Sequence, residues 1–277
     1  MKCVDGRGVS IRVISLVRAD DRRRSIRQQF AKMGLNFEFF DAVDGKNKMG
    51  EFGRYKPAQV RKIGAKPLTW GQLGCFESHY LLWEECVQSG RPMIVVEDDA
   101  IFDADRFREF VEWSNSSVFP SAVQCLRLFE NKASKPFYWQ AFHHTHWAIG
   151  KFLRGHVSAT GYYLTPDGAE KFLKYCQTWF EPVDRQMDHF WLNGVECYGM
   201  DPPCLTHDKR QVSFMPWGED QKARRSFSQY FRWRAYNAAL KIGRLIHNMR
   251  YRLRNSVGPL KTQSFEGLNS SSDYSGR

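Results

Sequence analysis

Residues 93–102 read MIVVEDDAIF, an apolar run that ends in consecutive carboxylates. The first four residues predict a buried strand, which Pro92 precedes and a predicted helix at residues 105–113 follows. Glu97, Asp98 and Asp99 therefore stand at the carboxyl end of a strand, where open α/β sheets bind their ligands. This segment predicts both the class of fold and the place of a site.

The acidic run predicts a site for a divalent cation. Carboxylates at the end of a buried strand are costly unless something neutralises them. Mg²⁺ and Mn²⁺ prefer oxygen ligands and would also bind a diphosphate. Because alternate residues of a strand project to the same side, Glu97 and Asp99 are the expected ligands. Asp98 would instead face a ribose or a neighbouring cation. A solvated acidic turn or a helix N-cap cluster is the alternative.

Strands and helices alternate along the rest of the chain. Strands are predicted at residues 11–17, 37–42, 122–129 and 158–164, and helices at 22–33, 69–88 and 169–176. This alternation predicts an α/β fold with a mainly parallel central sheet. Residues 46–67 show no clear period and predict a long loop, whereas His143, His144 and His146 lie in a structurally ambiguous stretch.

Composition limits the class of protein. The chain has 277 residues, of which 42% are apolar, enough for one large domain or for a domain with an appendage. Its seven cysteines are scattered and form no CxxC pair, so we expect neither a disulfide framework nor a thiolate zinc site. A reducing, cytoplasmic compartment is expected. The sequence predicts no secretion signal and no membrane-spanning helix.

The positive charge is concentrated near the C-terminus. Of a formal net charge of +11, ten Lys and Arg lie between residues 221 and 254, where there is no acid. Apolar residues recur there at steps of three or four, on one face of a predicted helix: Phe227, Phe231, Ala235, Ala238, Ile242, Leu245, Met249 and Leu253. Tyr230, Trp233 and Tyr236 are aromatics suited to a membrane interface. We predict a basic amphipathic helix on an anionic membrane surface. A helix packed on the core with a charged outer face and a nucleic-acid binding arm are the alternatives.

An ordered set of short motifs resembles glycosyltransferase family 25, the group that includes bacterial lipooligosaccharide galactosyltransferases. The matching residues are Val13-Ile14-Ser15-Leu16 with Arg22-Arg23, Phe39-Phe40-Asp41-Ala42, Gly74-Cys75-Phe76 with Ser78-His79 and Trp83, Val95-Val96-Glu97-Asp98-Asp99, Arg127-Leu128, Gly161-Tyr162-Tyr163-Leu164 with Ala169, and Pro182-Val183-Asp184. Gln72 stands where the family pattern leads us to expect a glutamate, and His207 is a candidate third metal ligand.

The resemblance implies a GT-A fold, a UDP-sugar donor, Mn²⁺ or Mg²⁺, and inversion at the anomeric carbon. Inversion requires a general base that takes the proton from the acceptor hydroxyl. Asp184 is the first candidate, and Asp188 would share its face if the segment is helical. An ordinary helix N-cap is the alternative explanation for either residue. The expected reaction moves a hexose, with galactose as the first candidate, to a lipopolysaccharide or lipooligosaccharide acceptor.

The resemblance also implies a donor site where the first two strands and the acidic strand end. The expected donor-binding residues are Ser15, Arg23, Asp41, Ala42, His79, Asp98 and Arg127. Arg23 would offer its planar donors to phosphate, although a surface salt bridge would explain it as well. His79 would bind the donor or the acceptor, or would be a buried, hydrogen-bonded histidine.

The sequence thus predicts a GT-A-like, Rossmann-type catalytic domain at residues 1–218, a membrane-associating basic helical region at 219–256 and a disordered tail at 257–277. The expected location is peripheral, on the inner face of the plasma (inner) membrane, without a nucleic-acid partner. Metal-dependent phosphoryl transfer and nucleic-acid binding by the basic segment are the alternative functions. The acidic run, however, lacks the alternating Asp-x-Asp of haloacid-dehalogenase-type phosphatases.

Overall fold

The computed structural model of the chain describes residues 8–48, 50–133, 136–207 and 225–263. The strands in these ranges are β1 (Ser10–Ser15), β2 (Glu38–Asp41), β3 (Met93–Glu97), β4 (Ala100–Phe102), β5 (Cys125–Arg127), β6 (Phe137–His143), β7 (Ala148–Phe152), β8 (Gly161–Leu164), β9 (Tyr198–Asp201), β10 (Leu205–His207) and β11 (Leu260–Thr262). The helices are α1 (Asp20–Met33), α2 (Pro57–Ile63), α3 (Trp70–Ser89), α4 (Ala104–Ser114), α5 (Pro166–Tyr175), α6 (Val183–Met187), α7 (Phe190–Asn193) and α8 (Phe227–Arg254). Strands and helices are mixed along the chain, so the predicted α/β class is confirmed.

The central sheet has the strand order β11-β6-β7-β9-β5-β8-β3-β1-β2 over the described residues. At one end β1 pairs in parallel with both β2 and β3, whereas β8 runs antiparallel to β3 and to β5. Then β9 is parallel to β5, and β7, β6 and β11 follow as antiparallel neighbours. The strands β1, β2, β3, β5, β6 and β9 therefore point the same way, so the sheet is mixed but largely parallel.

Helices cover both faces of this sheet. Along β3, Ile94 and Val96 enter an apolar cluster with α1 and α4, and Met93 and Val95 enter a second cluster with α3 and α5. Both faces of β3 are thus buried, which explains its unbroken apolar run. Because β1, β2 and β3 are parallel, their carboxyl ends meet at one edge, and the acidic run lies there.

The predicted loop at residues 46–67 contains a helix. Helix α2 begins at Pro57, a residue suited to the first helical position, and ends before Gly64, whose φ of 70° glycine adopts readily. Val60 and Ile63 bury its inner side. The prediction of a loop was wrong here because a helix this short holds too few apolar residues to show a helical period.

The predicted disordered tail begins with ordered residues. Strand β11 pairs antiparallel with β6, and Leu260 lies opposite Trp139. The buried side chain of Gln263 donates to the carbonyl oxygen of Met200 (2.8 Å) and accepts from the N–H of Asn131 (2.7 Å). The prediction of disorder was therefore wrong for β11 and Gln263, because backbone and amide partners distant in the chain hold this polar segment. Residues 264–277 lie outside the described ranges.

The ambiguous histidine stretch forms the hairpin of β6 and β7. His143 ends β6, and the Nδ1 atoms of His144 and His146 lie 3.6 and 2.8 Å from Oε1 of Glu109 on α4. These imidazoles belong to the side of the sheet that α4 covers. The ring of His144 also stacks on Trp147, so the contacts given for His144 and His146 are with α4 and the hairpin itself.

The C-terminal helix α8 packs on the body through its polar and aromatic side. The hydroxyl of Tyr236 donates to Glu181 (2.7 Å), and the guanidinium of Arg185 lies 5.1 Å from the ring centroid of Trp233. Trp233 and Tyr236, predicted as aromatics suited to a membrane interface, thus have charged partners within the protein. No helix within the described ranges has the length and apolar character to cross a bilayer. The boundary expected at residue 218 lies outside those ranges, so the division into domains stays a prediction.

Candidate functional site

Two adjoining cavities open where β1, β2 and β3 end. The first cavity, of about 300 Å³, is lined by the loops after β1 and β2, the start of α3 and the acidic run. The second cavity, of about 340 Å³, is lined mainly by residues 157–159, by residues 182–185 and by Gln72. Cys75 and Glu97 line both cavities. Glu97 therefore stands in the wall that the two cavities share.

Close backbone packing shapes the first cavity. A side-chain carbon on Gly45 would lie 1.8 Å from the carbonyl oxygen of Trp70, and one on Gly74 would lie 2.3 Å from that of Val43. The loop after β2 thus lies backbone to backbone on the first turns of α3, which only glycine permits. A capping box between Thr69 and Gln72 fixes the start of α3 at the same place.

Asp98 is held by neighbours on the first strand and the first helix. Its carboxylate is buried and accepts hydrogen bonds from Oγ of Ser15 (2.6 Å) and from Arg22 (2.8 Å). This geometry agrees with the expected contact between Asp98 and a neighbouring cation, which is Arg22. Ser15 and Asp98 thus join the ends of β1 and β3 at the floor of the first cavity.

Glu97 is positioned by a chain of hydrogen bonds behind it. Trp83 donates to the hydroxyl of Tyr162, which lies 2.9 Å from Nδ1 of His79, and Nε2 of His79 lies 3.4 Å from Glu97. Trp83 can only donate, so the Tyr162 hydroxyl is available to donate to His79, which places the imidazole proton on Nε2, facing the carboxylate. Burial opposes ionisation of Glu97, but hydrogen bonds from His79 and Thr160 outweigh it and lower its pKa. His79 is therefore a buried histidine that orients Glu97.

One group of possible metal ligands is found among the described residues: Cys75, His79 and Glu97, whose ligand atoms lie within 4.8 Å of one another. Burial and the charge of Glu97 raise the pKa of the Cys75 thiol well above its usual value, so the sulfur stays protonated. Both nitrogens of His79 already have hydrogen-bond partners. This group is thus poorly suited to a metal, apart from the carboxylate of Glu97.

Asp99 completes an oxygen-rich wall of the first cavity. Burial and the charges of Glu97 and Asp98 raise the pKa of Asp99 to about 7. A cation between Glu97 and Asp99 would offset this repulsion, and two carboxylates are the ligand type that Mg²⁺ and Mn²⁺ prefer. The chemistry of these residues therefore suits the expected metal, which Glu97 and Asp99 would hold.

Three basic residues that the donor prediction did not include line the first cavity: Arg18, Arg22 and Lys46. Arg18 forms an ion pair with Asp44, and Arg22 is the partner of Asp98. Arg22 lies in the first helix next to Arg23, so sequence position alone did not tell which of the two arginines points inward. Lys46 follows the Asp44-Gly45 turn, whose fold against α3 brings it to the rim.

Other predicted donor-binding residues lie outside the first cavity. The guanidinium of Arg23 donates to the backbone oxygens of Ser15 and Leu16 and pairs with Asp41, whose side chain is largely exposed. Arg23 therefore connects the ends of β1 and β2 from outside the cavity. Of the predicted donor set, the cavity wall includes Ser15, Ala42 and Asp98.

Asp184 lies in the wall of the second cavity, in the first turn of α6. Burial and the charge of Asp188 raise its pKa to about 6. The N-cap residue of α6 is Pro182, which has no polar side chain, and the carboxylate of Asp184 accepts a hydrogen bond from the backbone N–H of Arg185. Asp184 and Glu97 therefore belong to the same cavity, as a base and a metal ligand of one site would.

Asp188 has a different position. It is the C-cap of α6, accepts a hydrogen bond from the N–H of Val157 (2.9 Å) and pairs with the buried guanidinium of Arg127 at 3.0 Å. Val157 has a φ of 57°, which is strained for a β-branched residue. Arg127 also donates to the carbonyl oxygen of Ser158 (2.8 Å). Arg127 and Asp188 thus hold the strained loop that lines the second cavity, and neither lines either cavity.

Replacing Arg127 with glutamine is expected to destabilise the protein by about 3–5 kcal/mol, because it leaves Asp188 buried without its cation. Urea unfolding measures this difference. Arg24→Gln, which breaks the exposed pair with Asp21, is the control and should cost less than about 1 kcal/mol. A stable Arg127→Gln protein with weakened nucleotide binding would instead support the predicted donor-binding role.

Gln72 and His207 lie at the start of α3 and at the end of β10. Gln72 uses its Oε1 to accept from the N–H of Thr69 (3.0 Å), so the amide serves as a helix cap where a glutamate was expected. Its side chain also lines the second cavity. His207 ends β10, opposite Ala100, and its side chain lies outside the described part of the structure. Its role as a metal ligand stays a prediction.

Comparison with known proteins gives a consistent set of similarities. The model of one family, described as glycosyltransferase family 25 (LPS biosynthesis protein), matches residues 9–187. A glycosyltransferase 25 family member of Aedes aegypti is 38% identical over 106 residues, which cover 36% of this chain and 18% of that protein. The lipooligosaccharide biosynthesis protein lic2B of Haemophilus influenzae is 37% identical over 105 residues, 36% of this chain and 38% of that protein.

Not every relative is named as active. A Rattus norvegicus protein named probable inactive glycosyltransferase 25 family member 3 is 33% identical over 105 residues, which cover 36% of this chain and 18% of that protein. The chain thus spans less than two fifths of the length of these relatives. A solved glycosyltransferase involved in glycosylation of the major capsid of PBCV-1 aligns with 83% of this chain and 99% of its own, with a TM-score of 0.36 and 7% identity.

Proposed function

Because the chain belongs to glycosyltransferase family 25, we propose that it transfers a hexose, with galactose as the first candidate, from a UDP-sugar to a lipopolysaccharide or lipooligosaccharide acceptor. The observation that carries this proposal is the pair of adjoining cavities that share Glu97, one holding the acidic run and the other holding Asp184. A transferase needs one space for its donor and one for its acceptor, with the reacting carbon between them. The shared wall meets that requirement.

The first cavity suits a nucleoside diphosphate sugar. Arg18, Arg22 and Lys46 offer positive charge to a diphosphate. Trp70 lines the same cavity with a partly exposed indole, on which a uracil ring can stack. In this arrangement the diphosphate lies between the basic loops and the acidic run, and the sugar points toward Glu97 and the second cavity.

A divalent cation held by Glu97 and Asp99 would act as a Lewis acid that stabilises charge on the departing diphosphate. The side chains around these ligands keep them oriented. His79 and Thr160 hydrogen-bond to Glu97 from within the protein, and Asp98 is held by Ser15 and Arg22. The cavity therefore requires little rearrangement to receive the cation together with the donor.

The chemical step follows from the positions of the two cavities. In our proposal the carboxylate of Asp184 accepts the proton of an acceptor hydroxyl in the second cavity. The oxygen of that hydroxyl forms a bond to the anomeric carbon while the bond from this carbon to the diphosphate breaks. The bonding electrons leave with UDP, and attack from the side opposite the leaving group inverts the anomeric configuration. The pKa of about 6 leaves Asp184 ionised at neutral pH yet more basic than an exposed aspartate.

Family membership favours glycosyl transfer over the phosphoryl-transfer alternative. It does not by itself establish activity, since a relative is named probable inactive. The chain retains every carboxylate that the proposed reaction uses: Glu97 and Asp99 for the metal, and Asp184 for the proton. We therefore propose an active enzyme.

The direct test incubates the protein with UDP-galactose or UDP-glucose, Mn²⁺ and a truncated lipooligosaccharide. We expect release of UDP and a gain of one hexose by the acceptor, detected by mass spectrometry, with NMR of the new linkage reporting inversion. A reaction with EDTA in place of Mn²⁺ is the control and should give no product. If no UDP-sugar is consumed in the presence of any tested acceptor, the proposed function is wrong.

A further inference from the structure

Helix α8 turns its apolar face away from the protein. Exposed fractions along this face run from 44% for Ile246 to 85% for Leu253, and Phe227, Ile242 and Leu245 lie between these limits. The described residues leave this face open along the whole helix. Single exposed apolar side chains are ordinary, but a continuous stripe of them over 28 residues marks a surface that binds something.

Basic residues border the stripe on both sides. At about 100° per residue, Arg234, Lys241 and Arg252 fall along one border. Arg232 and Arg250 fall along the other, and all five side chains are exposed. Helix α8 contains no acidic residue. An apolar stripe between two rows of cations matches the chemistry of an anionic lipid surface, with acyl chains beneath and headgroup phosphates at the borders.

The opposite side of α8 is fixed to the body by polar contacts. The Nζ of Lys151 is fully buried, donates to Asn248 (3.2 Å) and pairs with Glu196 at 2.7 Å. Glu196 in turn lies 2.9 Å from His247. A cation buried in this way is strongly destabilising when its partners are removed, so the side of α8 that faces the protein is well determined.

We propose that the outward face of α8 binds the surface of an anionic lipid bilayer. The helix lies flat on that surface, with its apolar stripe among the headgroups and acyl chains and its two basic borders on lipid phosphates. The cytoplasmic leaflet carries such a negative charge, so a peripheral, cytoplasmic location belongs to this proposal. The inference stands independently of the reaction proposed above.

The same helix is joined to the second cavity through α6. Arg185, which lines that cavity, donates to Asn237 of α8 at 3.2 Å. Glu181, just before α6, accepts from both Arg185 (2.9 Å) and Tyr236 of α8 (2.7 Å). The segment that carries Asp184 therefore rests on the inner side of α8. A bilayer on the outer side would lie close to the cavity assigned to the acceptor.

Flotation with vesicles tests the binding. The full chain should float with vesicles of phosphatidylethanolamine and phosphatidylglycerol and not with vesicles of phosphatidylcholine alone. Ile242→Glu combined with Met249→Glu changes two exposed positions seven residues apart on the stripe, and should weaken binding by at least about tenfold. Val118→Glu combined with Val87→Glu is the matched control, because it adds the same charge at exposed apolar residues outside α8 and should leave binding unchanged.

A second variant tests the borders separately. Neutralising Arg234, Lys241 and Arg252 with glutamine should weaken binding to the anionic vesicles by about a hundredfold at low salt. Parental protein that does not float, or outward-face variants that float as well as the parent, would overturn the proposal. So would a stable dimer that Ile242→Glu with Met249→Glu makes monomeric, or tight binding of nucleic acid without binding of vesicles. Hexose transfer to a soluble acceptor fragment should be unchanged in the vesicle-binding variants, which separates this test from that of the reaction.

Discussion

Replacing Asp184 with asparagine is expected to lower kcat by about a thousandfold, since a positioned general base contributes about 10²–10⁴ to a rate. Asparagine keeps the shape of the side chain but cannot accept the proton of the acceptor hydroxyl. Binding of the UDP-sugar should be retained, because Asp184 lines the second cavity and not the first. Single-turnover kinetics together with calorimetric titration of the donor would separate the two effects.

Asp167→Asn is the matched control, because Asp167 is an exposed aspartate in the first turn of another helix, α5. It should retain nearly full activity. If Asp184→Asn kept more than about a tenth of the parental kcat, the base would have to be a different group.

The pH dependence of the parent provides a further check on Asp184. A base acts when ionised, so activity is present above its pKa and is lost as the pH falls through it. With a pKa of about 6 for Asp184, kcat/KM should fall by about tenfold for each pH unit below that value. Asp184→Asn should lack this bend. A bend near pH 6 that persists in the variant would assign it to another residue.

Replacing Asp99 with asparagine should lower kcat/KM in the presence of Mn²⁺ by at least about a hundredfold, because the Lewis-acid contribution of a bound cation is worth several kcal/mol. The same change should raise the melting temperature measured without divalent cations. Asp99 is a half-buried carboxyl close to Glu97 and Asp98, and its removal relieves their mutual repulsion. Functional residues of this kind stabilise a ligand at the expense of the fold.

Thermal unfolding with and without Mn²⁺ measures the second effect. The cation should raise the melting temperature of the parent and leave that of Asp99→Asn nearly unchanged. Asp105→Asn, at a highly exposed acidic position on α4, should behave like the parent. An undiminished Mn²⁺ response in Asp99→Asn would mean that other residues hold the metal.

Local sequence patterns predicted the part of the site that one strand carries. The apolar run of β3 is buried on both faces, so its end and the carboxylates after it could be located from composition alone. The approximate bounds of α1, α3 and α5 followed from their periods and end signals. Asp184 came from the family motif, and the structure places it in a cavity shared with Glu97.

The features that the sequence did not predict depend on contacts between segments distant in the chain. The inward position of Arg22 follows from its contact with Asp98, 76 residues later. The order of β11 follows from pairing with β6, more than a hundred residues earlier. Periodicity identified the apolar face of α8 but not its direction, because the partners of its other side, Lys151, Glu181 and Glu196, lie far away in the chain.

Strand β11 limits how α8 can move. A basic amphipathic helix that a flexible linker joins to a domain can move relative to that domain, over a distance set by the length of the linker. Here the chain continues past α8 to the edge of the central sheet, where β11 pairs with β6. Helix α8 is therefore held in a fixed orientation relative to the sheet. If α8 binds the bilayer, the enzyme would approach every acceptor in the same orientation. The height of the reacting hydroxyl above the bilayer would then decide which glycans it can extend.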